Sequence, residues 1–252
     1  MDLSIVIPCF NEARNLRLGA LTQVAYFLDK KKYTWEVIIV DDGSNDDSIH
    51  LIEEFLKRNP NFRLMKNPHQ GKAATVMTGM LKAKGSIIVF TDLDQATPIK
   101  ELDALIPWFD KGYDVVIGSR KGTRQGAPLL RRIMAKGFMI LRTIILGLPN
   151  IKDTQCGFKG FKKEAAKEIF SKMKLYTEKK KETQAGSKGS NVTAGFDVEV
   201  LYLAKRLGYN IKEIPVEWHY VETRRVNPLR DSIQGVMDLL RVRLNSAQGL
   251  YD

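Results

Sequence analysis

The chain has 252 residues, of which 44% are hydrophobic and 27% charged, a composition typical of a soluble globular protein with a buried core. Its 40 Lys and Arg residues against 29 Asp and Glu give a net charge of +11, which favours anionic partners such as nucleic acid, phosphorylated substrates or an anionic membrane surface. The longest uncharged run, 18–28, is too short to span a membrane. Cys9 and Cys156 lack metal-ligand spacing, which is typical of a reducing cytosol.

Apolar strand patterns and amphipathic helix patterns alternate strictly through the first 120 residues. The predicted strands are 3–8, 35–40, 62–65, the apolar run from Ile87, and 114–118. The predicted helices are 12–31 with Asn11 as N-cap, 46–58, 71–83 and 100–110. This alternation predicts an α/β fold with a doubly wound, mostly parallel sheet. No GxGxxG follows the first strand and no GxxxxGK[ST] occurs, so neither a dinucleotide-binding fold nor a P-loop is supported.

Acidic or polar groups follow three of the predicted strands. They are Asn11 with Glu12, Asp41 with Asp42, and Asp92 with Asp94. The carboxyl ends of parallel strands share one edge of a sheet, so these groups are expected to meet there. Two carboxylates one residue apart are costly without a positive partner, and a divalent metal with a phosphate ligand meets that need. The alternatives are a solvated turn after Phe90 and a helix cap with a turn at Gly43-Ser44.

Several motifs carry a resemblance to a known family. They are SIVIPCFNE at 4–12, VDDGS at 40–44, Gly71-Lys72, TDLD at 91–94, DTQCGFK at 153–159 and GFDVE at 195–199. The sequence resembles the inverting family 2 glycosyltransferases with a GT-A fold, and within them the dolichyl-phosphate β-glucosyltransferases and the related dolichyl-phosphate mannose synthases. The resemblance implies one GT-A domain over 1–252. Its first half, 1–120, would bind the nucleotide sugar and its second, 121–252, would face the acceptor and the membrane.

The resemblance implies roles for five residues around the nucleoside. Pro8, Phe10 and Glu12 would line the nucleoside pocket, with Glu12 facing the ribose. One carboxylate of Asp41 and Asp42 would accept a hydrogen bond from the base, and the other would accept one from a ribose hydroxyl.

The resemblance also places a metal and the donor phosphates. Asp92, Leu93 and Asp94 match the DxD motif, with Asp94 in direct contact with Mg²⁺ or Mn²⁺ and Asp92 nearer the ribose and phosphate. Gln95 is a further metal-ligand candidate, although it departs from the small residue common at this position in glucosyl relatives. Lys72 would neutralise the diphosphate or approach the base; the alternative is a solvated helix start.

The second half of the chain supplies the candidate acceptor groups. Arg120 closes the fifth strand and is expected to face the phosphates, the alternative being a surface arginine. Asp153 is a candidate base or orienting carboxylate and Lys159 a candidate phosphate ligand, while Asp197 is expected to border the acceptor site. Two pairs of arginines complete the set: Arg131 with Arg132 for the acceptor phosphate, and Arg224 with Arg225 in a basic loop over the donor diphosphate.

Residues 129–148 predict an amphipathic helix with a broad apolar arc. Arg131, Arg132, Lys136 and Arg142 fall on the opposite arc, and a break near Gly137 is expected. This pattern indicates a helix in a membrane interface; the alternative is a helix packed on the core with a basic solvent face. A Lys-, Gly- and Ser-rich stretch at about 174–194 predicts a mobile insert, and a terminal amphipathic helix is expected from Pro228.

These observations predict a metal-dependent inverting transfer of a hexose, by resemblance glucose from UDP-glucose, to a polyprenyl or dolichyl phosphate. The expected catalytic groups are Asp94, Asp153, Arg120 and Arg225. Because the acceptor is already ionised, charge control rather than a strong base is required. The alternatives are GDP-mannose as donor, transfer to a glycan hydroxyl with Asp153 or Asp197 as base, and a non-enzymatic basic lipid-binding module. The protein is expected at the cytoplasmic face of a membrane, with no nucleic acid partner.

Overall fold

Seven strands form one mixed sheet in the order β3-β2-β1-β4-β6-β5-β7, within the part of the chain that the structure describes. The computed structural model describes residues 1–120, 129–149, 151–175, 194–219 and 228–252, and the backbone alone at 129–136, 194 and 228–232. The strands are β1 Leu3–Cys9, β2 Trp35–Asp41, β3 Phe62–Lys66, β4 Ile87–Phe90, β5 Val115–Arg120, β6 Lys159–Lys162 and β7 Ile211–Val216. The predicted mostly parallel α/β sheet is confirmed, and the expected insert at 174–194 lies almost wholly outside the described residues.

Helices cover both faces of this sheet. They are α1 Ala13–Arg17, α2 Ala20–Leu28, α3 Ser48–Leu56, α4 Lys72–Lys82, α5 Leu102–Leu105, α6 Pro107–Asp110, α7 Leu129–Leu146, α8 Lys163–Lys172, α9 Ala194–Arg206 and α10 Pro228–Ala247. The helix predicted over 12–31 is two helices, because Gly19 adopts a left-handed φ of 83° between them. The helix predicted over 100–110 is a 3₁₀ turn at Ile99–Glu101 followed by α5 and α6, and Pro107 begins the latter.

Asn11 is not the N-cap that the sequence suggested. Its φ is 54°, in the left-handed region, and its side chain accepts a hydrogen bond from the Asn45 N–H. The N–H groups of Glu12 and Ala13 donate instead to the side chains of Ser48 and Asp46 at the start of α3. The turn after β1 is therefore tied to the turn after β2, which fixes one wall of the site described below.

Side chains of the central strands alternate between two apolar cores. Val6, Ile38 and Val40 point to the core that α4, α8, α9 and α10 cover. Ile5 and Ile7 point to the opposite core, which α2, α5 and α6 cover. Such two-sided burial is the reason that these strands read as continuous apolar runs.

Strand β6 was not predicted from the sequence. It lies antiparallel between β4 and β5, with Phe161 opposite Ile88 and Val115. Gly160 is needed at its centre, because a Cβ there would lie 2.8 Å from Leu105 and 3.0 Å from Phe109. Its four residues, KGFK, carry two lysines and a glycine, so they give no strand pattern.

Helix α7 is continuous through Gly137, so the expected break is absent, and it packs alongside α10 where Phe138 contacts Gly235. Arg142, predicted on the polar arc, is buried and donates to the Ile151 carbonyl and the Thr154 hydroxyl. Apolar side chains are exposed instead on both helices: Met139, Ile140, Leu141 and Ile144 on α7, and Ile233, Met237, Leu240 and Leu244 on α10. We call these eight residues the apolar face. None of the helices within the described ranges is long and apolar enough to cross a membrane.

Candidate active site

The carboxyl ends of β2, β1 and β4 lie side by side at one edge of the sheet. Cys9 at the end of β1 is level with Asp41 at the end of β2, and Val6 is level with Phe90 at the end of β4. All three strands run in the same direction. The predicted meeting of the polar groups after these strands is therefore confirmed.

Asp41 both closes a turn and presents an oxygen without a partner. Its Oδ2 accepts hydrogen bonds from the N–H groups of Gly43 at 2.9 Å and Ser44 at 3.0 Å. Its Oδ1 is buried and has no hydrogen-bond partner among the described residues. A buried carboxylate oxygen without a donor is costly, so Asp41 is suited to accept from an N–H or O–H of a ligand.

The Asp42 carboxylate is occupied by the loop that leads into α4. It accepts from the N–H groups of Gln70 at 2.8 Å and Gly71 at 2.9 Å, and His69 Nδ1 lies 2.9 Å from its Oδ2. Both Asp42 oxygens therefore accept hydrogen bonds from this loop, whereas Asp41 keeps one oxygen without a partner within the described ranges. Asp42 instead positions the 69–71 loop against Phe10.

Two aromatic rings stack at the same edge of the sheet as Asp41. The Phe10 and His69 rings stack with centroids 4.3 Å apart and planes at 19°. Pro8 and Glu12 lie at the same edge and are partly buried, and Glu12 Oε2 accepts from the Asn15 amide at 2.6 Å. Sequence reasoning missed His69, although its position two residues before Gly71-Lys72 was a usable signal.

Asp92 and Asp94 follow β4, and Lys72 at the start of α4 reaches them. Lys72 Nζ lies 2.5 Å from Asp92 Oδ1. Burial and the neighbouring charge of Asp92 raise the pKa of Asp94, although an Ala96 N–H donates to it at 3.0 Å. Burial alone would lower the pKa of Lys72, but Asp92, Asp197 and Asp94 together raise it. Burial and the charge of Asp92 thus outweigh the positive charge that Lys72 brings to Asp94.

Gly157 leaves open the space that the Asp92 carboxylate occupies. A Cβ at Gly157 would lie 2.1 Å from Asp92 Oδ2 and 2.7 Å from its Cγ. A side chain of any size at this position would displace the carboxylate. Sequence reasoning placed acceptor groups in the 153–159 segment and missed this contact, because only the fold brings the segment under β4.

Leu93 and Gln95 do not face the carboxylate pair. The Leu93 side chain is buried in the core that α2 covers, so only its backbone borders the site. The Gln95 amide donates to the Asp92 carbonyl at 3.0 Å and accepts from the Ile99 N–H at 3.1 Å. Gln95 is therefore a brace for the turn, with a left-handed φ of 52°, and the prediction of Gln95 as a metal ligand does not fit.

Arg120 and Asp153 form a two-pronged ion pair beside the pocket. The guanidinium donates from Nε at 2.6 Å and Nη2 at 2.8 Å to the two carboxylate oxygens. Burial would raise the pKa of Asp153, but Arg120 outweighs it and lowers that pKa. Asp153 thus holds the Arg120 guanidinium in place, and its lowered pKa makes it a poor base.

Lys159 and Asp197 form a second ion pair, which is largely buried. The Lys159 side chain is 0% exposed, and its amine lies 2.5 Å from both Asp197 Oδ1 and the Cys156 carbonyl. Burial raises the pKa of Asp197, with Lys159 and Lys72 opposing the shift. The prediction that Lys159 contacts an acceptor phosphate does not fit, because no face of its amine is accessible. The pair holds the start of α9 against β6.

Four predicted arginines cannot be placed at the site. Arg131 and Arg132 lie in α7, but their side chains fall outside the description. Arg224 and Arg225 lie in 220–227, outside the described residues.

The residues present fit a divalent metal that is shared with a phosphorylated ligand. No group of three or more His, Cys, Asp or Glu side chains within the described ranges could hold a metal alone. Asp92 and Asp94 offer hard carboxylate oxygens, and Mg²⁺ in particular binds through one or two carboxylates with substrate phosphates and water completing its shell. Mn²⁺ accepts the same ligands.

The edge of the sheet thus brings together the carboxylate pair, the Phe10–His69 stack and the unpartnered oxygen of Asp41. Glycosyl transferase family 2 matches residues 4–170, and the chain belongs to this family. It is a glycosyltransferase with a GT-A fold.

Its curated relatives are more specific. The chain is 32% identical to the dolichyl-phosphate β-glucosyltransferase of Dictyostelium discoideum over 99% of this chain and 76% of the relative. It is 33% identical to that of Saccharomyces cerevisiae, over 99% and 76%, and 30% identical to the human one, over 99% and 77%.

Solved structures share the fold at lower identity. Glucosyl-3-phosphoglycerate synthase from Mycobacterium tuberculosis, in complex with Mn²⁺, UDP and glucosyl-3-phosphoglycerate, gives a TM-score of 0.60 at 20% identity, over 96% of this chain and 79% of the other. The mannosyltransferase of Pyrobaculum calidifontis with GDP-mannose and Mn²⁺ gives 0.53 at 15% identity, over 97% and 75%.

Proposed function

We propose that this chain transfers glucose, with inversion, from UDP-glucose to the phosphate of a dolichyl-type lipid at a membrane surface. The names of the curated relatives support the sugar and the acceptor. The unpartnered Asp41 oxygen, the stacked rings of Phe10 and His69 and the Asp92–Asp94 pair, all after β1, β2 and β4, support a nucleoside diphosphosugar as the donor. The relatives name no donor, so UDP-glucose belongs to the proposal, and GDP-mannose is the alternative that its test must reject.

The observation that carries the choice of acceptor is the state of the two candidate bases. Asp153 is paired with Arg120, and Asp197, whose side chain is 11% exposed, is paired with the fully buried Lys159. A glycan hydroxyl would need a free carboxylate to remove its proton. A phosphate monoester has a second pKa of about 6 and is already a nucleophilic anion at neutral pH. The site is therefore suited to an acceptor phosphate and poorly suited to a hydroxyl.

The donor would be held at its two ends. The unpartnered Oδ1 of Asp41 would accept from the nucleobase or ribose, beside the stacked rings of Phe10 and His69. Asp92 and Asp94 would hold the divalent cation, whose chemical contribution is to neutralise the charge that develops on the leaving diphosphate.

The acceptor phosphate would be positioned by fixed positive charge. Arg120 is always protonated, and its bonds to Asp153 restrict it to one orientation. A phosphate oxygen would attack the anomeric carbon in line as the bond to the leaving diphosphate breaks, which inverts the configuration. Arg131, Arg132, Arg224 and Arg225 remain proposed contributors to phosphate binding.

The apolar face would lie on the membrane. Ile144 is 74% exposed and Ile233 60%, and α7 and α10 lie side by side, so the exposed residues of both helices form one surface. Arg243 and Lys205 line the cavity next to Ile144, where anionic lipid head groups would meet positive charge. The two free, buried cysteines support the cytoplasmic face.

The test is a transfer assay with vesicles that contain dolichyl phosphate and with UDP-glucose or GDP-mannose as the labelled donor. We expect labelled lipid from UDP-glucose in the presence of Mg²⁺ or Mn²⁺, and none from GDP-mannose. The Asp94→Asn variant should lose this activity and serves as the matched control. Label transferred from GDP-mannose alone, or to an added glycan instead of the lipid, would overturn the proposal.

A further inference from the structure

Lys72 occupies the charge position that a metal would fill. Its amine lies 2.5 Å from Asp92 Oδ1, and the charges of Asp94 and Asp197 also act on it. The same Asp92 and Asp94 are the hard oxygen ligands described above. Two cations cannot share these carboxylate oxygens at that distance without strong repulsion. Lys72 and a divalent metal therefore compete for them.

The surroundings determine which partner can move. The Asp92 carboxylate can rotate in place, but its short side chain keeps it beside Gly157 and cannot carry it far from the end of β4. Lys159 is 0% exposed and engaged with Asp197, so it cannot substitute for Lys72. The Lys72 side chain is 31% exposed and extends from the first turn of α4. Lys72 is thus the movable charge in this cluster.

The backbone of Lys72 is held while its side chain is free to change partner. The N–H of the preceding Gly71 donates to the Asp42 carboxylate at 2.9 Å, and the Gly71 φ of 92° sets the entry into α4. An amine that leaves Asp92 would stay at the N-terminal end of this helix. The diphosphate of a donor bound between Asp41 and Asp92 would lie in the same region, and it would attract that amine.

We propose that Lys72 is a resident counter-cation of the Asp92–Asp94 pair, displaced when the metal binds and then taken over by the donor diphosphate. The exchange couples the two ligands. The metal alone must remove Lys72 from Asp92, whereas in the presence of a diphosphate the amine gains a new partner. By linkage, each ligand then strengthens the binding of the other. The inference depends on the proposed function only for a nucleoside diphosphate donor and a divalent cation.

The test measures Mn²⁺ binding with and without UDP, by the electron paramagnetic resonance signal of free Mn²⁺. The variants are Lys72→Gln, Lys72→Arg, which keeps the charge, and Lys82→Gln, which removes an exposed charge from the other end of α4. We expect Lys72→Gln to bind Mn²⁺ alone roughly five- to tenfold more tightly than the native chain. Adding UDP should increase the Mn²⁺ affinity of Lys72→Gln by a smaller factor than it increases that of the native chain.

Lys72→Arg and Lys82→Gln should both keep the Mn²⁺ affinity of the native chain and the same increase in that affinity when UDP is added. Equal or weaker Mn²⁺ binding by Lys72→Gln, or an unchanged gain from UDP, would overturn the proposal. Thermal unfolding of each variant establishes that it is folded, and Lys72→Met replaces Lys72→Gln if that variant fails to fold. Because UDP replaces the sugar donor and no acceptor is used, the absence of glucosyl transfer would count against the proposed function and leave this result intact.

Discussion

Replacing Gly157 by alanine should damage the site through one contact. The new methyl carbon would lie 2.1 Å from Asp92 Oδ2, 2.7 Å from Cγ and 3.1 Å from Oδ1, all inside the 3.4 Å at which ordinary contact begins. The φ of Gly157 is not in the left-handed region, so alanine adds no backbone strain. The overlap is with a carboxylate that can rotate, so Asp92 should turn away and lose Lys72.

Overpacking of this kind costs about 1–3 kcal/mol, which corresponds to roughly 5- to 150-fold in a binding or rate constant. We expect Gly157→Ala to lower kcat/KM for the donor by that factor and to weaken Mn²⁺ binding in the presence of UDP. The unfolding midpoint in urea, measured in parallel, separates loss of the site from loss of the fold.

Gly137→Ala is the matched control. Nothing lies within 4 Å of a Cβ at Gly137, which sits in α7. That variant should keep native activity and gain about 0.5–1 kcal/mol in stability, because alanine is the better helix former. If Gly157→Ala retained native kcat/KM and Mn²⁺ binding, the steric reasoning about Asp92 would be refuted.

Three further predictions follow from the ion pairs and the apolar face. The lowered pKa of Asp153 means that its pairing with Arg120 stabilises the fold above about pH 3.9 and is lost as the pH falls through the lowered value. In urea unfolding from pH 2 to 7, the free energy of unfolding should therefore fall less on acidification for Asp153→Asn than for the native chain. An equal fall in the two proteins would contradict this. Lys159→Met leaves Asp197 buried without its partner and should lower the free energy of unfolding by about 3–5 kcal/mol. The double variant Lys159→Met with Asp197→Leu should lose less, as measured by the urea midpoint. Equal losses in the two variants would disprove the coupling. Ile144→Glu should reduce sedimentation with anionic vesicles while activity on detergent-dispersed lipid is kept, whereas unchanged sedimentation would exclude this residue from the membrane contact.

The first half of the fold could be predicted because each of its strands carries its own signal. Strands β1, β2 and β4 are buried on both faces, so their apolar runs and the acidic groups after them are visible in the sequence. Strand β6 gives no such signal, because its sequence, KGFK, is not an apolar run and its partners β4 and β5 are distant in the sequence. The break between α1 and α2 depends on one left-handed glycine, which hydrophobic periodicity does not detect.

The site could be predicted as a set of positions but not as a set of contacts. The sequence placed Asp41, Asp92 and Asp94 correctly at one edge of the sheet. Lys159 was predicted to bind a phosphate because nothing in the local sequence shows that its amine pairs with Asp197, 38 residues later. Gln95 was predicted to bind a metal for the same reason, because the hydrogen bonds between its amide and the turn form only in the folded chain. Lys159 and Gln95 were thus assigned to ligands although their partners are protein groups.

We expect the acceptor nucleophile to be a phosphate, because both candidate bases among the described residues, Asp153 and Asp197, are paired with cations. The most direct measurement compares dolichyl phosphate with dolichol, two acceptors that differ only in the phosphate, at equal density in vesicles with labelled UDP-glucose. We expect β-linked glucosyl phosphoryl lipid from dolichyl phosphate and no product from dolichol. Glucosyl dolichol formed at a comparable rate would contradict it, because that product requires the base that the pairings of Asp153 and Asp197 leave unavailable.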